Sequence, residues 1–126
     1  MIFIEQVATY LQAQALGTIA TNIFVGSLPP TPDNCIAVIN TGGVAPSIDI
    51  PDKTPTFQVI IRNTNYETGE TTLSSVRTAL HQFMNDTLVT GQTYVYSIFA
   101  VAEGGHIGRD DQGRDEFSIN FQCKTR

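Results

Sequence analysis

Four carboxylates, Asp110, Asp111, Asp115 and Glu116, stand close together near the end of the chain. They are the one cluster whose type and spacing suit a hard divalent cation, which needs several oxygen ligands at close range. The alternating ligands of a calcium loop are absent, although Gly113 stands among them, and Arg109 and Arg114 compete for the same carboxylates. A charged hairpin, solvated or salt-bridged at a subunit boundary, is therefore expected, with no metal ligand assigned. Arg109, Asp110, Asp111 and Arg114 are the candidate subunit-interface residues.

The other reactive side chains lack partners at useful spacing. His81, one turn after Arg77, and His106, in a glycine-rich stretch, have no cysteine or second histidine nearby to share a metal, so both read as solvated side chains or polar contacts. Ser74 and Ser75 have no base or orienting acid at a suggestive spacing, and no G-x-S-x-G elbow exists. Gly42 and Gly43 are followed by neither a dinucleotide fingerprint nor a Walker lysine. Tyr10, Tyr66, Tyr94 and Tyr96 are not interleaved with cations, which argues against a base-stacking platform. No catalytic or cofactor-binding residue is assigned.

Composition narrows the classes further. Seven basic residues against twelve acidic leave a net charge of −5, and Lys53 is the only cation before Arg62, so no nucleic-acid-binding stripe is present. The start, MIFIEQ, has an acid at Glu5 and no basic n-region, and no apolar run is long enough for a signal peptide or a membrane span; the protein is expected to remain in the cytosol where it is made. Charged residues make up 15% of the chain, below the roughly 25% usual for soluble domains, which suits either subunit contacts or a neutral Thr, Asn and Gln coat. Cys35 and Cys123 lie in apolar, strand-like contexts and read as buried free thiols.

The elements that must position these residues can be read from periodicity. Ile4, Val7, Ala8, Leu11 and Ala15 share one helical face, with Gly17 expected at C′. Ile23, Phe24 and Val25 form a short extended piece that runs into a rigid loop holding Pro29, Pro30 and Pro32. Residues 35–39 read as a buried strand ending at a T-G-G turn, and 44–54 as a long loop or hairpin tip. TFQVIIR is a strand whose far end, Arg62 and Asn63, is expected to emerge into solvent. Thr64 and Glu67 suggest a capping box for a second helix carrying Leu73, Val76, Leu80 and Phe83, weakened by Gly69 and ended by Asn85 and Asp86.

Residues 94–102 are almost continuously apolar and suit a central strand buried on both faces. The last strand alternates Phe117, Ile119, Phe121 and Cys123 against Ser118, Asn120, Gln122 and Lys124, one face core and one wet. Between these two strands, EGGHIGRDDQGRDE suits a hairpin connection. The expected fold is α+β: one domain, 1–126, with a mostly antiparallel or mixed four- to five-stranded sheet and two helices packed on it.

Two stretches resemble the minor capsid and tail terminator family of long-tailed bacteriophages. NIFVGSLPPTPDNCIAVINTGG (22–43) is similar in its F-x-G-x-L-P, its P-D-N-C before an apolar strand and its T-G-G turn; GRDDQGRDEFSINFQ (108–122) is similar in its G-R-D-x-x-G-R hairpin before E-F-S. The intervening helix and strand match the layout more loosely. The resemblance implies a virion protein without catalytic residues or cofactors. It implies a ring of copies of itself, usually a hexamer, that caps the tail tube protein at the head-proximal end and offers a face to the head-tail connector or stopper. It also implies assembly in the host cytoplasm, and duplex DNA crossing the lumen without specific binding. Another neck or tail-tube component of similar architecture, or an enzyme with a pocket invisible in sequence, are the competing readings.

Overall fold

The computed structural model describes residues 1–45 and 52–126. Helix α1 (Phe3–Ala13) buries Ile4, Val7, Ala8 and Leu11, as their spacing predicts. It ends earlier than Gly17 would suggest. Ala15 takes φ 63°, and the N–H groups of Ala15 and Leu16 donate to the carbonyls of Gln12 and Leu11, closing a Schellman turn. Gly17 serves close packing instead, because a Cβ there would press on Asn22 and Ile23.

Three strands follow: β1 (Ile23–Val25), β2 (Cys35–Asn40) and β3 (Thr56–Asn63). The loop expected over 44–54 is closed at its stem, where Val44 N–H donates to Thr54 O; its tip, 46–51, lies outside the described residues. Helix α2 (Tyr66–Leu80) has Asn65 as its N-cap, the side chain accepting from Thr68 N–H at 3.0 Å. The expected Thr64–Glu67 capping box is thus displaced by one residue, because Thr64 N–H is held by Asn34 Oδ1. Gly69 is buried against the Phe117 ring, and a Cβ there would overlap it, so the weak helix former is required by packing.

The second helix stops at Leu80, short of Phe83. Gln82 takes φ 65° and donates to Ile98 O, which turns the chain directly into β4 (Phe83–Thr87). Then come β5 (Tyr94–Ala100), β6 (Gly105–Arg109) and β7 (Asp115–Thr125). The sheet runs β1-β2-β3-β7-β5-β4, parallel only between β1 and β2. Strand β7 is the spine: β3 lies along one side, while β5 and β6 share the other, pairing with its second and first halves. The class is the expected α+β mixed sheet with two helices, but the described residues form seven strands. β5 is not central; it lies next to the edge strand β4, and Phe99 is 41% exposed.

Both helices cover one face. Phe57, Val59 and Ile61 of β3 and Phe117, Ile119 and Phe121 of β7 point into it, with Phe57 and Phe121 stacked at 5.1 Å and Phe3 of α1 edge-on to Phe57. Cys35 and Cys123 are free and buried. Burial raises both thiols above their ordinary range, Cys123 to about 12, although Arg62 and Arg114 oppose the shift at Cys35. At pH 8 neither should react with a thiol reagent in the native protein, and both should react in denaturant. Rapid native labelling of either one would contradict this burial.

Candidate assembly surface

The charged hairpin joins β6 to β7, and its turn is built around Asp110. Asp110 Oδ1 accepts from the N–H groups of Gln112 (3.0 Å) and Arg114 (2.9 Å), and Oδ2 accepts from Arg114 Nε at 2.7 Å. The Arg114 N–H bond, ahead of the guanidinium contact, holds the Asp110 carboxyl below the ordinary range. Arg114 is buried, and its Nη1 donates to Pro30 O at 2.6 Å and to Asp33 Oδ1 at 3.3 Å.

A second arginine works beside it. Arg62, expected in solvent, is 3% exposed; its Nη2 donates to Pro32 O at 2.7 Å and its Nε to Asp33 O at 3.3 Å. The physical reason lies in the loop between β1 and β2. Its prolines have carbonyls but no N–H to donate, so the segment offers acceptors in excess, and two guanidinium groups satisfy them. Asn34 completes the latch by accepting from Thr64 N–H. Loop and hairpin thus form one braced surface, 26–34 beside 110–114.

A further cluster lies at the hairpin's base on the helix side. Asp115, buried, accepts from His106 Nε2 at 3.0 Å and Arg109 Nε at 3.3 Å, while the His106 ring packs edge-on against Tyr66 and Phe117, each at 5.2 Å. A carboxylate only accepts, so His106 carries its proton on Nε2. Burial would raise the Asp115 carboxyl, but the bonds from Arg109 and His106 outweigh it and leave the group low.

Because Asp110 and Asp115 are depressed in the folded state, their contribution is present above the unfolded carboxylate value near 4 and is lost as pH falls through the lower folded values. Urea midpoints should therefore drop steeply below about pH 4. Asp115→Asn should be less stable at pH 7 and show a shallower acid limb; an unchanged limb would dissociate Asp115 from the effect.

Of the four candidate interface residues, the structure places Asp110 and Arg114 in contacts within the chain and leaves Asp111 exposed and Arg109 65% exposed. The acidic quartet does not converge, since Asp110 is held by Arg114, and Asp115 by His106 and Arg109. Among the described residues no group of three or more metal-ligating side chains is gathered. His81 caps α2 and its Nδ1 accepts from Ala100 N–H. Ser75 donates to Thr71 O and Ser74 accepts from Arg77; both line an open groove between α1 and α2, with Tyr10, Gln14 and Thr71, and that lining holds no histidine, cysteine or carboxylate. Sequence reasoning placed Arg62 in solvent and so missed it as a structural member of this surface, whereas His106 makes a polar contact of the expected kind, with Asp115 as its partner. The proline-rich run before P-D-N-C was the available signal for Arg62.

The bacteriophage tail terminator protein family matches the chain over residues 10–126. The chain belongs to this family. It is a structural, tail-terminating virion protein. The terminator's fold is also similar to that of a chain in the solved virion of the native gene transfer agent (GTA) particle. That likeness has a TM-score of 0.73 and 14% identity, and covers 98% of the terminator and 93% of that chain. No curated protein matches it in sequence. In the terminator, the braced surface coincides with the two stretches that carry the family resemblance, 22–43 and 108–122. Among the described residues no helix is long and apolar enough to cross a membrane.

Proposed function

We propose that the terminator, a single domain over 1–126, closes into a ring, a hexamer, on the head-proximal end of the tail tube. There it stops addition of further tube rings and offers its opposite face to the head-tail connector or stopper. Ring closure needs two different surfaces per copy, and stopping after one layer needs an end face that does not match the tube. The observation that carries this reading is the braced loop-and-hairpin surface: two of seven cations are buried to fix the shape of an exposed edge, which suits a protein whose work is docking. Within it, Arg109 and Asp111 are proposed to reach the neighbouring subunit, while Asp110 and Arg114 hold the turn.

No enzymatic step or cofactor is part of the proposal. Assembly takes place in the host cytoplasm, and the net charge of −5 per copy leaves duplex DNA free to slide through the bore without specific binding. A stop codon early in the gene should give overlong, heterogeneous tails and unjoined heads in negative-stain micrographs. Tails of normal, uniform length on heads would overturn the reading, and absence of tails would assign the chain to the tube instead.

A further inference from the structure

A pocket of about 130 Å³ lies where four elements meet: the exit of α1, the start of β2, the end of β3 and the second turn of α2. Asn22, Asn34 and Asn63 line it, together with half-buried Leu16 and buried Ile61. Each asparagine has its oxygen engaged by a backbone N–H, a group that can only donate. Thr18 N–H donates to Asn22 Oδ1 at 2.6 Å, Thr64 N–H to Asn34 Oδ1 at 3.0 Å and Asn65 N–H to Asn63 Oδ1 at 2.9 Å. These bonds fix which end of each amide is oxygen, and they leave the NH2 end as the group still to be satisfied.

Asn63 decides the direction. It is 7% exposed, and its Nδ2 donates to nothing among the described residues. No fully enclosed side-chain nitrogen or oxygen among those residues lacks a partner. Its Nδ2 therefore reaches open space, and at a side chain this buried that space is the pocket it lines. Water can accept from these groups in the free protein, so a ligand must accept at least as well.

A carboxylate only accepts, and it brings two oxygens to three NH2 groups; an amide would add two donors facing oxygens that already accept. The field has the matching sign. At Cys35, which also lines the pocket, burial raises the thiol, and Arg62 and Arg114 oppose that rise ahead of the smaller effect of Glu116. The loop between β1 and β2 supplies the link to assembly: Asn34 ends the segment that Arg62 and Arg114 brace, so a protein resting on that segment meets the pocket's rim.

We infer that the three-asparagine pocket takes a carboxylate side chain, Asp or Glu, of a protein that docks on the braced loop. The docking half rests on the proposed assembly role of that loop; the carboxylate chemistry does not.

Acetate is the probe, with acetamide as its neutral counterpart of equal size. The readout is the side-chain NH2 signals of Asn22, Asn34 and Asn63 in nitrogen–proton correlation spectra of the purified full-length chain. Acetate should shift all three saturably at millimolar concentration, as befits so small a ligand, and acetamide should need about tenfold more. Asn63→Asp keeps the oxygen that Asn65 N–H needs and replaces the donor with a second carboxylate oxygen, so acetate affinity should fall about tenfold or more. If that variant does not fold, Asn22→Asp, which likewise keeps its accepted N–H, carries the same expectation. In phage, Asn22→Asp should give overlong tails or unjoined heads although the purified variant is folded. No saturable acetate shift, an equal response to acetamide, or undiminished acetate binding by the folded variant would each overturn the pocket. Acetate binding lost in Asn22→Asp while tail length and head joining stay normal would overturn the docking partner and leave a site for free carboxylates. Normal tails in the stop-codon lysate would instead remove the terminator reading, and the acetate titration would still report on the pocket.

Discussion

Phe117→Ala is expected to lower the unfolding free energy by about 3–5 kcal/mol, the cost of removing a fully buried ring whose surroundings cannot collapse. Phe117 has no exposure, and Tyr66 and His106 pack on it at 5.4 and 5.2 Å. Beneath it lies the backbone of α2 at Gly69, which is fixed by the helix's own hydrogen bonds. Urea unfolding at pH 7 measures the loss, read from the midpoint at constant slope. The sharper check is the second substitution. Gly69→Ala alone should destabilise, because overlap with the ring outweighs the roughly 1 kcal/mol of helix propensity gained. In the Phe117→Ala background the same change should stabilise, since the new methyl enters vacated space. Additive effects in the double variant would show that Gly69 and Phe117 do not share this contact.

The elements legible in the sequence were those whose side chains obey one period over several turns or pleats. The β7 alternation, the α1 stripe and the apolar run of β3 depend on burial of one face, and burial imposes the period directly. The other strands obey no such rule. β1 was legible only as a short extended piece over Ile23–Val25, because its three residues are held by parallel pairing to β2, which no local pattern encodes. β4 reads FMNDT, with turn-forming Asn85 and Asp86, and is a strand only because β5 offers an edge just after α2. β6 contains two glycines in five residues and borrows its conformation from β7. The charged hairpin was visible as a density of charge, yet which charges turn inward was not. Arg109 and Arg114 have the same type and nearly the same neighbours in sequence, and they differ because the proline loop, more than seventy positions away along the chain, has carbonyls within reach of only one.

Arg62→Ala is expected to cost about 3 kcal/mol, since it removes two charge-assisted bonds that a buried guanidinium makes to carbonyls of the proline loop. The bonds run to Pro32 at 2.7 Å and Asp33 at 3.3 Å, from a guanidinium that is 3% exposed. The global midpoint is one readout, and the location of the damage is the other. The loss should concentrate in the loop: amide exchange at Asp33, Asn34 and Cys35 should quicken far more than in β7, because Arg114 still holds Pro30 from the hairpin side. Arg62→Lys should recover little, because a single ammonium cannot span two carbonyls as the planar fork does. If the loop only decorates the fold, Arg62→Ala protein should still terminate tails at normal length once stability is restored by lower temperature. If the braced surface docks, tails should lengthen at temperatures where the purified variant remains folded, and that separation of folding from length control assigns the latch a part in assembly.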